Sequence, residues 1–249
     1  MDEILIAAAI LVSGAAWLFR SLGPGAKIRK LLGAAADGDM STAREMMDKG
    51  TGINAKLQNG SSPLLAAVEH GKLEMARYLM MHGATPDITN LYGETPLMRA
   101  VTSDQPDMAR ELIAMGANPG AKNIYGETAL LMAAEFGMDD IVRLLLDKGA
   151  AVDAPDDEGW TPLMGAALNS EERVAVDLLN KGANVNAQDE LGITPLHAAA
   201  EGGDADMIRM LLANGANLRA KNIAGKTPHD IAVSKGNEEA ARLLESAKG

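Results

Sequence analysis

Gly-Ile-Thr-Pro-Leu-His-Ala-Ala-Ala-Glu-Gly-Gly occupies residues 192–203, and Asp-Ala-Asp-Met-Ile-Arg-Met-Leu-Leu-Ala-Asn-Gly-Ala-Asn follows at 204–217. Steps of 33 from Gly192 land on Gly159, Gly126, Gly93 and Gly60 in one direction and on Gly225 in the other. A second series, Gly50, Gly83, Gly116, Gly149, Gly182 and Gly215, keeps the same step, and all but Gly50 precede alanine. Two markers in one register define a stacked repeat array, in which one unit cannot bury its apolar face without neighbours.

Within the unit, Thr194 supplies a hydroxyl to cap a helix start and Pro195 takes the first helical position, where its missing donor costs nothing. Leu196 and Ala198 to Ala200 predict a short helix with small side chains, ended by Gly202 and Gly203. Met207, Ile208, Leu211 and Leu212 recur at helical spacing and predict a second helix that stops at Gly215. The polar, turn-forming stretch that follows reads as a projecting loop or hairpin finger.

Gly-x-Thr-Pro-Leu-x-x-Ala-Ala, Leu-Leu-x-x-Gly-Ala and the 33-residue period resemble ankyrin repeats. The resemblance implies an all-α solenoid of about seven helix-turn-helix units with projecting loops. Units are expected near 27–59, 60–92, 93–125, 126–158, 159–191, 192–224 and 225–249, within a repeat domain of 27–249. The first departs at Arg29 and Lys30, where Thr-Pro is expected, and the last carries His229 at the leucine position. Charged, atypical ends are what a solenoid needs to close itself. For His197 the resemblance implies a structural role, the imidazole tying adjacent loops.

Ile4 to Phe19 is an uncharged, mostly apolar run, preceded by Asp2 and Glu3 and followed by Arg20. As a helix it would be ~24 Å long, short of a ~30 Å hydrocarbon core unless extended through Leu22. Three readings compete: an uncleaved transmembrane anchor over 1–22, a cleaved signal, and a cap helix. Acids at the start speak against a signal, and apolar character all round against a cap. Arg20, Lys27, Arg29 and Lys30 all follow the run, which orients an anchored chain with its repeats in the cytoplasm. Gly23-Pro24-Gly25 predicts a break, and residues 23–26 a short linker, before the array. Cleavage would instead make the chain a secreted or periplasmic soluble inhibitor or protective protein.

The formal charge of −11 argues against nucleic acid, and the absence of cysteine removes thiolate chemistry and disulfides. No metal-ligand spacing links His70, His82, His197 and His229, and no catalytic pattern occurs. Ala220 to Thr227 matches a loose phosphate-loop pattern, but Gly225 and Thr227 are accounted for by the repeat. Asp139-Asp140 and Asp156-Asp157 read as capping or solvated groups. No enzyme, cofactor, metal or small-molecule substrate is expected.

The resemblance places partner recognition on the finger tips and the first helix of each unit. Of seven aromatic residues, four fall there: Tyr92, Tyr125, Phe136 and Trp160. Glu94, Glu127, Glu135, Asp157 and Glu158 accompany them. Aromatic anchors ringed by charge are the make-up of an interface hot spot. The expected partner is another protein offering a basic segment with an apolar side chain, and the expected role is a membrane-anchored, non-catalytic adaptor or regulator. A stiffening role for Tyr92 and Tyr125, by stacking between neighbouring fingers, is the competing reading.

Overall fold

The structure is a computed structural model that describes residues 24–247. The expected anchor over 1–22 lies outside the described residues, among which no helix is long and apolar enough to cross a membrane. Fourteen α-helices occur among them, in seven pairs. The pairs are α1 (Pro24–Asp37) with α2 (Met40–Asp48), α3 (Pro63–Glu69) with α4 (Leu73–Met81), and α5 (Pro96–Thr102) with α6 (Pro106–Ala114). Next come α7 (Ala129–Glu135) with α8 (Asp139–Asp147), and α9 (Pro162–Leu168) with α10 (Glu172–Asn180). The last are α11 (Pro195–Gly202) with α12 (Ala205–Ala213), and α13 (Pro228–Lys235) with α14 (Glu238–Ser246). Helix α1 begins inside the stretch read as a linker, so Pro24, Gly25 and Ala26 are helical; proline is tolerated in a first turn, where its N–H would have no intrahelical partner.

The hydroxyl start signal operates in every pair after the first. Ser62 accepts from the Leu65 amide at 3.3 Å, Thr128 from Leu131 at 3.2 Å and Thr194 from His197 at 3.4 Å. These hydroxyl residues are buried, so losing one would strand an amide away from water. Six of the seven residues in α3, α7 and α9 are buried, which suits short first helices sandwiched between neighbours.

The second helices are nine residues long and amphipathic. In α8 the buried stripe is Ile141, Val142, Leu145 and Leu146. Each such side chain contributes about 1.5–3 kcal/mol relative to exposure, whereas a nine-residue helix gains little from propensity alone. Gly149 then takes φ +88°, and the Ala150 amide reaches back to the Leu145 carbonyl at 2.9 Å. That is the glycine-ended stop the second marker series predicts.

Two compact units are formed, one through Leu91 and one from Tyr92 onward. In the first, α1 packs on α2 and α3, and α3 on α4, around Leu31, Met46, Leu64, Met75 and Leu79. In the second, α5, α7, α9, α11 and α13 pack in succession, each also against its own second helix. The second helices α6, α8 and α10 contact one another in turn, as do α12 and α14.

Candidate functional site

The finger loops of the phase glycines Gly126, Gly159, Gly192 and Gly225 are each built on an asparagine or aspartate three residues before the glycine. Asn123 Oδ1 accepts from the amides of Tyr125 at 2.9 Å and Glu127 at 3.0 Å. Asp156 does the same for Glu158 at 2.9 Å and Trp160 at 2.8 Å, and Asp189 for Leu191 at 2.9 Å and Ile193 at 2.6 Å. One side chain thereby closes the whole turn. This 33-residue Asn/Asp series was a sequence signal that the reading of Asp156-Asp157 as solvated or capping groups did not use.

Neighbouring tips are joined by backbone. The Ile124 amide donates to the Tyr92 carbonyl at 3.0 Å, Asp157 to Tyr125 at 2.9 Å, Glu190 to Glu158 at 2.9 Å and Ile223 to Leu191 at 2.9 Å. The phase glycines let the chains come this close. A Cβ on Gly126, which has φ +75°, would lie 2.7 Å from the Asp157 amide nitrogen.

On this row Tyr92 and Tyr125 stand 57 % and 56 % exposed, and Asp157 and Glu158 are exposed. Trp160 is half-buried at the foot of its finger. Glu94 is largely covered, its carboxylate 3.7 Å from Arg99 Nη1. Glu127 accepts from Asn123 Nδ2 at 2.6 Å.

Glu127, Glu135, Asp156 and Trp160 gather between α7 and α9. Burial pushes the Glu135 carboxyl above its usual range, the charges of Glu127 and Asp156 add to this, and a hydrogen bond with the Trp160 side chain opposes it. The room for Glu135 comes from Gly165 in α9, where a Cβ would lie 2.6 Å from Glu135 Cγ. Phe136, although 59 % exposed, is not part of this group. It caps the far end of α7 and lines a depression with Arg110, Met138, Arg143 and Arg173. The expected aromatic set therefore divides between the finger row and the helix-turn end.

Charge is concentrated in the same region. Residues 126–191 hold four Lys and Arg against fourteen Asp and Glu, a net −10 within a chain total of −11.

A family model described as "Ankyrin repeats (3 copies)" matches residues 31–123, 111–189 and 173–248. The chain belongs to the ankyrin-repeat family. No curated protein matches it. Ankyrin-repeat domains are typically protein–protein interaction modules and generally non-catalytic. In this ankyrin chain His197 is buried, its Nδ1 accepting from the Thr194 amide at 3.2 Å and its Nε2 lying 3.1 Å from the Lys226 carbonyl oxygen. The copies of this position are Leu65, Met98, Leu131 and Met164, with Asp230 in the last repeat, so the imidazole tie belongs to the sixth repeat.

Proposed function

We propose that this ankyrin chain is a membrane-tethered, non-catalytic adaptor that holds a partner protein by a basic segment carrying an apolar side chain. The carrying observation is the coincidence of exposed Tyr92 and Tyr125 with the net −10 of residues 126–191. Opposite charge steers a basic segment to the row, and the rings supply contact area at low entropic cost. The tether rests on the apolar run Ile4–Phe19 and the cations after it. Holding the domain at a bilayer raises its effective concentration for a membrane-associated partner, so modest intrinsic affinity suffices.

The test is a titration with a Lys/Arg-rich peptide containing one leucine, against an acidic peptide of equal length. With Trp17→Phe, Trp160 is the only indole and reports the event directly. Saturable, salt-sensitive change with the basic peptide alone supports the reading; no change, or equal change with both, removes it. Alkali extraction of membranes tests the tether separately, and release of the full-length chain would sink that part.

A further inference from the structure

From α4 onward the second helices carry a charge pattern with one break. Glu74 and Arg77, Asp107 and Arg110, and Asp140 and Arg143 pair one turn apart at 2.9, 2.7 and 2.8 Å, and Asp206 pairs with Arg209. Arginines also reach the following repeat: Arg110 to Asp140 at 3.2 Å and Arg143 to Asp177 at 3.7 Å. In α10 the acid position holds Arg173 and the arginine position holds Val176.

Three consequences follow on one surface. The Arg173 side chain is 89 % exposed and leans toward the α8 side, with Asp139 at 3.8 Å. Val176 is left 42 % exposed. On the α12 side Asp206 lacks the arginine that position 176 would supply, and carboxylate oxygens of Glu172, Asp204 and Asp206 lie within 4.8 Å of one another. Asp140 has two arginines, whereas Asp206 has one.

We infer that this face is a self-association surface, and that its occupant is a second copy of the chain. Arg173 on one side of Val176 and the three carboxylates on the other make the face complementary to itself about an apolar centre. A two-fold axis parallel to α10 and passing over Val176 exchanges the α8 side of one copy with the α12 side of the other. Each Arg173 then faces the other copy's three carboxylates, and the two Val176 side chains meet at the axis. Reciprocal pairing of this kind is what an isologous interface requires. No structural need of the repeat accounts for the inversion, since the flanking repeats fold the same helix with the ordinary pair.

The natural chain has no cysteine, so a single introduced thiol reports one position. Full-length Val176→Cys, under mild oxidation, is expected to give a disulfide-linked dimer. The control is Val233→Cys, at a 58 % exposed position in α13. Adding Arg173→Asp should cut dimer yield by about tenfold, the effect of losing one favourable charge contact per copy, with helix content unchanged by circular dichroism. Cysteine-free Arg173→Asp/Val176→Arg, which restores the ladder, should sediment as monomer while melting no lower than the natural chain. Equal cross-linking of the Val176→Cys and Val233→Cys variants, the mark of association elsewhere in the chain, would overturn the inference. So would a natural chain that stays monomeric at all concentrations tested.

Discussion

The imidazole Nε2 of His197 lies 3.1 Å from the carbonyl oxygen of Lys226, 29 residues on and in the next finger. With Nδ1 accepting from the Thr194 amide, only the neutral ring protonated at Nε2 satisfies both ends. Burial lowers the His197 pKa, against the opposing hydrogen bond to Lys226. The native state therefore binds the proton less readily than the unfolded chain. Stability from this group is complete above the unfolded value of about 6.5 and falls as pH drops through it toward the depressed native value. Thermal melts between pH 7.5 and 5 should show this fall, and His197→Met, the residue of repeats three and five at this position, should flatten it. An unchanged slope in the variant would refute the assignment.

Gly126 and Gly149 share a left-handed φ but differ in surroundings. Gly149 has nothing within 4 Å of an added Cβ, whereas at Gly126 the next finger is in the way. Gly149→Ala should cost about 1–2 kcal/mol from backbone strain alone. Gly126→Ala should cost about 1–3 kcal/mol more, from overpacking. Urea midpoints of the two variants check the order.

Asp104 and Ser170 hold φ +50° and +62° at a position filled by glycine in Gly71, Gly137, Gly203 and Gly236. Ser170→Gly should stabilise by about 0.5–1 kcal/mol, relief of left-handed strain exceeding the added entropy of the unfolded chain. A lower melting temperature for the variant would contradict this.

Gly165→Ala should expel Glu135 from its place over α9. Because Glu135 Cγ belongs to a flexible side chain, the helix gains about 0.5–1 kcal/mol of propensity with little repacking. The Glu135 pKa should fall toward its ordinary value, readable by carboxyl NMR, and Trp160 emission should shift. Trp160→Ala and Tyr125→Ala should weaken basic-peptide binding with helix content intact, as measured by calorimetric titration, which needs no indole reporter, and circular dichroism.

Helix pairs, their starts and their stops are legible in the sequence because each is decided locally. Thr194 and Pro195 fix one end and Gly215 the other, whatever the neighbours do. What escapes a reading of the sequence is decided between repeats. Gly165 lies at a position held by Ala66, Arg99, Met132 and Ala198 in other units, so its meaning depends on Glu135 in the repeat before it. Residue type groups Phe136 with Tyr125, but α7 stands between them and turns them to different ends. Helix α1 starting at Pro24 is a further case, since Gly-Pro-Gly reads as a break only without the packing partners that α2 and α3 provide.

The bonds from Ile124 to Tyr92, Asp157 to Tyr125, Glu190 to Glu158 and Ile223 to Leu191 all run in one direction and repeat every 33 residues. Such a row tolerates only certain errors of copying. A slip of the coding sequence by a whole unit between equivalent tips would leave each remaining amide opposite a carbonyl. A slip by a codon or two within one loop would shift every later tip out of step. The uninterrupted spacing of the phase glycines is thus the record that such a row leaves in heredity: it can lengthen or shorten by whole units, and cannot drift.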